Sequence, residues 1–342
     1  MESNRRWHDP EVEIFSNLIT PGTCCSAEAY DLANRRWYRL DVDAEVQDED
    51  WLSSTVAKHV REFYSANEKV PPWNTIKTTA RGSPVTFETK PDGYVDRPIT
   101  KSLSYGLEPT DKLPTTAFDQ LENLTYISRS ADRCTWHGKD CVFKRIEFDV
   151  DIKPIMTEIR IRESLINAIG SAGPADANAE MLRRFLVVPV LAVVIGKSKP
   201  WKPGTVAGIL MPFAGQDLEI LARDADLPLP ITEHQLWDLV RGVRELGKCG
   251  VEHGDIKYWN TVLQPAEGED ASAKLVLIDL GSVAPGYDGD AKALGALLLW
   301  CLEHVPALRE NQATMAKVDA AAAALAEEDF DTALESLSPA DA

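Results

Sequence analysis

The sequence predicts an α+β chain: a five-stranded antiparallel sheet with one helix, then a mainly helical half, with an N-terminal accessory region in front. Three observations lead to it. Of 342 residues, 44 % are hydrophobic and 26 % charged, an ordinary globular balance that excludes wholesale disorder. From Leu124 onward, short apolar runs alternate with polar turns, the texture of antiparallel strands. Beyond Met211 the strongest segments are helical, Glu233 to Lys248 and Asp290 to His304.

Residues 1 to 118 are expected to form the accessory region, partly irregular. It carries a strand-like run, Arg36 to Val42, and a helix from Asp48 to Asn67 whose N-terminal acids suit the helix dipole. A polar tract rich in Pro and Thr follows, from Pro71 to Thr116. Strands are then expected in LTYISR, RCTWHG and DCVFKRIEF, a helix over Pro154 to Ile169, and strands over Phe185 to Ile195 and Val206 to Met211, with Gly204 and Gly208 marking turns or bulges. The helix from Glu233 starts behind Thr232, a good N-cap, and stops before Gly250. Short strands at Thr261 to Leu263 and Lys274 to Ile278 precede the helix from Asp290. The tail, residues 306 to 342, contains AAAALAEEDFDTALESL, which reads as an acidic amphipathic helix. The expected core is therefore 119 to 305, with a first lobe to 213 and a second from 214.

Lys plus Arg number 36 against 54 Asp plus Glu, a formal charge of −18 that disfavours nucleic acid and anionic lipid as partners. The six cysteines form no CxxC pair, so zinc is not expected and reduced thiols are. The charged start MESNRRWHDPEVE is unlike a signal peptide, and the longest apolar runs are too short to span a bilayer. A cytoplasmic protein without a membrane partner is the expectation.

The segment His253-Gly254-Asp255-Ile256-Lys257-Tyr258-Trp259-Asn260, followed by Ile278-Asp279-Leu280-Gly281, carries the chemistry. A carboxylate five residues before an amide, with a second carboxylate at the end of a later strand, suits a hard cation and a hydroxyl nucleophile. The pair resembles the catalytic loop and the metal motif of the protein-kinase-like superfamily. The resemblance covers about 180 residues, from Leu124 to Val305. It implies a two-lobed kinase-like fold that takes ATP and Mg2+ as cofactors. Asp255 would be the catalytic base and Lys257 would neutralise the moving phosphoryl group, while Asn260 and Asp279 would hold magnesium. His253 and Asp290 would anchor the loop. Asp140 to Lys144 resembles the strand that brings a lysine to the phosphates, with Glu158 as its helix partner and Glu163 as the second choice. Ile209 to Gly215, with Met211 and Phe213, resembles the hinge that reads adenine.

Two departures shape the substrate. The turn Ser128 to Arg133 has no glycine where kinases place a glycine-rich loop, so Arg129 or Arg133 would contact the phosphates instead, while Asp132 would repel them. Only Ser282 to Gly289 separates the metal motif from Asp290, too short for an activation segment or a peptide-docking platform. The chain thus resembles compact small-molecule kinases of the aminoglycoside and choline type, and a small molecule is the preferred substrate over a protein. Tyr258 and Trp259 would either wall a pocket for a planar or cationic group or fill core. Two other readings compete: a pseudokinase scaffold, and a kinase-like fold diverted to amide or peptide-bond formation in specialised metabolism. The latter is raised by similarity in texture to kinase-like proteins of filamentous fungi such as the arginine-containing cyclodipeptide synthases, and only there would tRNA be a partner.

Overall fold

A computed structural model describes residues 7–338 apart from 68, 96–98, 107, 109–111, 171–172, 224–228, 267–271 and 282. In chain order the elements begin with β1 (Val12–Thr20), β2 (Cys24–Asp31), β3 (Arg36–Val42), α1 (Glu49–Ala66), β4 (Thr75–Thr78), β5 (Thr86–Glu88) and α2 (Asp92–Val95). Next come β6 (Thr115–Ala117), β7 (Glu122–Ser128), β8 (Ala131–Trp136), β9 (Lys139–Arg145), α3 (Ile152–Ile169), α4 (Pro174–Phe185), β10 (Ala192–Ile195) and β11 (Val206–Pro212). The remainder is β12 (Gln216–Asp217), α5 (Leu218–Arg223), α6 (Glu233–Lys248), β13 (Thr261–Gln264), β14 (Lys274–Leu277), α7 (Asp290–His304), α8 (Pro306–Glu310), α9 (Gln312–Ala326) and α10 (Phe330–Ser336). From β7 to α7 the order is a hairpin, the strand bearing Lys144, two helices, two strands and then a mainly helical region, one helix more than the sequence predicts before β10.

The chain divides into two compact units along lines other than the expected boundaries. One comprises Met1–Lys101, Leu121–Gly138 and Phe143–Asp149; the other comprises Ser102–Gln120, Lys139–Val142 and Val150–Ala342. The β7–β8 hairpin thus belongs with the N-terminal sheet, and the C-terminal helices belong with the second unit.

In the first unit the accessory region is an ordered sheet in the order β1-β2-β3-β4-β5. Only β3 and β4 run parallel, and α1 is the crossover that a parallel pair requires. Asp48 starts α1 by accepting the Trp51 amide at 3.0 Å. Tyr38, Leu40 and Val42 alternate inward on β3 and pack with Leu52 and Val56 of α1 and Ile76 of β4. Phe15, Tyr30, Trp37 and Phe148 form a second cluster, with Phe15 4.8 Å from Phe148 and Tyr30 4.8 Å from Trp37. The β9-β8-β7 order continues in this unit, where the Arg145 amide donates to Ser130 O at 2.8 Å.

A buried set of charges lies at the base of the hairpin. Asp132 is 2.9 Å from Arg35 and 2.6 Å from Arg145; Glu147 is 2.5 Å from Arg145 and 3.7 Å from Arg35. No side chain of the four is more than 6 % exposed. Tyr30 donates its hydroxyl to Glu147. Burial pulls the Arg145 guanidinium down, but Glu147 and Asp132 outweigh it and hold its pKa above the ordinary arginine value. Asp132 is therefore not turned toward phosphates, contrary to the sequence expectation, because alternation along β8 puts residues 132 and 134 inward and Arg133 outward. Arg129 lies over the Phe148 ring at 5.6 Å.

In the second unit, β6-β10-β11-β9 run side by side, with a bulge where β11 passes Gly208. Phe185 to Ile195 is not one strand. The helix α4 fills its approach and ends on Leu186 in the left-handed region, and Leu186 to Val188 then runs beside β14, where the Val188 amide donates to Leu277 O and the Leu277 amide to Leu186 O. Thr232 and Gln235 cap α6 reciprocally. The tail is three helices rather than one appended helix, and Val318, Ala321, Leu325 and Leu334 join Leu294 and Leu298 in one core. Among the described residues no helix is long and apolar enough to cross a membrane.

Replacing Asp132 by Ala leaves two buried guanidinium groups facing one carboxylate. The variant is expected to lose about 3–5 kcal/mol of unfolding free energy in urea. A loss below about 1 kcal/mol is the result that contradicts a buried, mutually dependent charge set.

Candidate active site

The residues singled out in the catalytic loop converge in the second unit. After α6 the chain crosses to a single 3-10 turn, Tyr258–Asn260, and enters β13. Asp290, in the first turn of α7, reaches back to this crossing. Its carboxylate accepts the His253 amide at 2.7 Å, the Gly254 amide at 3.1 Å and the Tyr287 hydroxyl at 2.6 Å. Tyr287 in turn accepts the Ile256 amide at 3.4 Å. Burial first, then Asp290, push the Tyr287 phenol up, so it stays a donor. Asp290 thus ties this crossing to α7, and Tyr287, which the sequence reading passed over, ties it a second time.

His253 is fully buried and ties this loop to the metal-motif strand. One ring nitrogen, Nε2, lies 2.8 Å from Ile278 O, and Nδ1 accepts the Asp255 amide at 3.3 Å. An acceptor on one side and a donor on the other fix the neutral Nε2–H tautomer. Burial lowers its pKa against the Asp290 charge. The backbone adds three cross-links: Ile278 N to Asn260 O at 3.0 Å, Gly281 N to His253 O at 2.9 Å and Ala284 N to Gly254 O at 3.1 Å.

Glycine at 254 is a steric requirement. Its φ is +88°, and a Cβ there would sit 3.1 Å from Val283 Cα. Gly281, at φ +90°, would drive a Cβ to 2.4 Å from Ile161 Cδ1. A side chain in the middle of the His253-Gly254-Asp255 triplet would meet both a left-handed backbone and the close Val283 main chain, so glycine is favoured there.

Within this frame Asp255 Oδ1 is 2.7 Å from Lys257 Nζ. Asn260 Nδ2 donates to both Asp255 O and Asp255 Oδ2, each at 2.9 Å. With its nitrogen spent on Asp255, Asn260 presents Oδ1 as its ligand atom for a hard cation. Asp279 follows β14 with φ +62°, beyond the strand that His253 grips. One carboxylate and one amide oxygen suit magnesium, which keeps several waters and takes few protein ligands. Among the described residues no group of three or more His, Cys, Asp or Glu side chains could hold a metal ion.

The two glutamates of α3 have separate tasks. Glu163 accepts Tyr105 Oη at 2.6 Å, the Lys112 amide at 3.0 Å and Arg160 at 2.9 Å, which fastens the segment before β6. Glu158, 1 % exposed, pairs with Arg162 at 3.2 Å. Arg162 is wholly buried; burial pulls its pKa down, opposed by Glu158 and by the charge of Asp279. Sequence reading passed over Arg162, though the four-residue spacing from Glu158 on one helix face was the signal available. Lys144, Arg129 and Arg133 belong to the first unit. Met211 is buried at the end of β11, and the Phe213 amide is bound to Asp140 O at 3.1 Å. That N–H is engaged with β9 and is not the donor for an adenine edge.

The two rings that follow Lys257 sit differently. Tyr258 stacks on Trp300 at 5.0 Å and belongs to the core, whereas Trp259 is 39 % exposed with Lys257 Nζ 4.9 Å from its ring.

No protein-family model and no curated protein matches the chain. Among solved structures, the kinase domain of Mycobacterium tuberculosis PknI is similar at 13 % identity over 65 % of this chain and 97 % of that one, with a TM-score of 0.43.

The histidine makes a pH prediction. A buried neutral imidazole that must charge on unfolding contributes stability that is present above the unfolded pKa of about 6.5 and lost as pH falls below it. Imidazole 15N shifts of His253 are expected to stay those of the neutral Nε2–H tautomer through pH 6.5. Half-protonation at or above that pH in the folded protein contradicts the assignment.

Proposed function

We propose that this chain is an ATP- and magnesium-dependent phosphotransferase acting on a small molecule. The observation that carries the reading is the cross-linked frame of His253, Asp290 and Ile278, which sets Asp255 and Asn260 against the strand end bearing Asp279. In this reading Asp255 accepts the proton of the acceptor hydroxyl as its oxygen forms a bond to the γ-phosphorus. The bond to the β–γ bridging oxygen breaks, and ADP leaves. Lys257, now paired with Asp255, swings to the transferring group, and Lys144, with Glu158 as partner, holds the α and β phosphates. Met211 and the chain after it face adenine. Asp279 and Asn260 hold the magnesium, which supplies charge neutralisation at the phosphate oxygens. Positioning and electrostatics would provide most of the acceleration.

A small acceptor is supported by the segment after Gly281. Among its described residues, Ala284 and Tyr287 are spent on backing the catalytic loop rather than on a peptide platform. Ser282 lies outside the described residues. The exposed Trp259 offers a face for a planar or cationic acceptor. A second reading, a scaffold without turnover, is favoured by one observation: the glycine-free turn has its carbonyls occupied by Arg35.

Thermal unfolding with and without ATP and magnesium separates the two. A ligand at about one hundred times its Kd stabilises by roughly 2.7 kcal/mol, worth several degrees in a chain of this size. The shift is expected to need both metal and Asp279, and to disappear in Asp279→Asn. Asp255→Asn should keep the shift while turnover of an acceptor drops about 10²-fold or more. No shift in the wild type leaves the scaffold reading, and activity abolished by nuclease points instead to chemistry drawing on aminoacyl-tRNA.

A further inference from the structure

We propose that Trp259 is a positioning residue for Lys257: one face of its indole holds the ammonium beside Asp255, and a row of rings anchored on α7 holds the indole. The proposal rests on the phosphotransferase reading above and concerns the second unit alone.

The lysine needs a second hold. Its backbone is fixed, since Lys257 O accepts the Asn260 amide at 3.0 Å and Thr261 Oγ1 at 2.9 Å around the 3-10 turn. Its side chain is 37 % exposed, and that of Asp255, 2.7 Å away, is 20 % exposed. A pair so open to water is worth little alone, because a flexible four-carbon stem must be frozen to keep one contact. The Trp259 ring, with its centroid 4.9 Å from Nζ, supplies the second contact. Indole is the best of the aromatic faces for a cation, so the residue type fits the task.

An exposed indole with nothing behind it would turn freely. Tyr258 meets Trp259 edge to face, with centroids 4.7 Å apart and an interplanar angle of 84°. Tyr258 then stacks on Trp300 at 5.0 Å and 12°, and Trp300 stacks on His304 at 4.2 Å and 12°. The row ends on the helix itself. His304 Nδ1 is 2.9 Å from Trp300 O, and because a carbonyl only accepts, Nδ1 carries the hydrogen.

Trp300 and His304 belong to the C-terminal part of α7, whose first residue, Asp290, accepts the His253 and Gly254 amides. One helix thus fixes the start of the crossing through hydrogen bonds and its lysine through rings. Core filling accounts for Tyr258 and Trp300, which pack against the common core. It does not account for Trp259, which that core does not include and which is exposed.

The test uses the full chain with Trp259→Leu, Trp259→Phe and Trp300→Leu. Protons above an aromatic ring resonate upfield, so the ε-methylene protons of Lys257 are read by NMR without ligand, beside trace acetylation of its amine read by mass spectrometry. Expected in Trp259→Leu are loss of the upfield shift and acetylation of Lys257 faster by about two- to fivefold, the worth of an exposed cation–π contact. Trp259→Phe should keep part of both effects, and Trp300→Leu should lower the shift although the indole is present. Magnesium-dependent phosphate release from ATP, with water as the acceptor, should fall by a similar factor in Trp259→Leu at unchanged KM for ATP. The 15N shifts of His253 should stay as in the wild type, which a general loosening would not allow. An upfield shift that survives Trp259→Leu overturns the proposal, and so does phosphate release that does not fall once the lysine is freed. A shift untouched by Trp300→Leu overturns the part given to the row of rings. A wild type that neither binds nor hydrolyses ATP sinks the phosphotransferase reading and the task of Lys257 with it, an outcome told apart because NMR and acetylation still report the hold of Trp259.

Discussion

The arrangement of the second unit depends on where one carboxylate sits. Asp290 takes two consecutive backbone amides of the crossing after α6, those of His253 and Gly254, which would otherwise be left without acceptors. An unmet buried N–H costs about 1–3 kcal/mol, so the loop has one low-energy position, dictated by α7. The carboxylate stands in the first turn of that helix, where the helix dipole favours an anion. Because α7 packs with α9 in the common core, the C-terminal helices hold the segment around Asp255 in place although none of their residues is near it in sequence.

The first unit is ordered by a different device. Arg35, Asp132, Arg145 and Glu147 form a set of two cations and two anions, each nearly excluded from water. Such a set tolerates burial only while complete. It also specifies geometry: a guanidinium fork accepts few arrangements of its partners, so the hairpin, the segment after β9 and the β2–β3 turn have a single mutual register. The accessory sheet is thus continuous with the hairpin in energetic terms, which explains why a boundary near residue 118 is not where the chain divides.

What the sequence made legible follows from where the physics is local. The strand β3, the helices α6 and α7 and the hairpin could be read because periodicity and capping residues lie within each segment; α6 runs over the expected residues because Thr232 and Gly250 bracket it. Asp255, Asn260, His253 and Asp290 could be singled out because their spacing and order are properties of the sequence, and hydrogen bonds join them in the structure. The β1 and β2 strands were missed: β2, Cys24–Asp31, is buried largely through Ala27 and Ala29, small residues with little apolar signal. The run Phe185 to Ile195 misled because a continuous apolar stretch looks alike at a helix end and in a strand. Asp132 misled for a further reason. Its partners are 97 residues before it and 13 after it, and no local pattern says that a carboxylate in a hairpin faces two arginines.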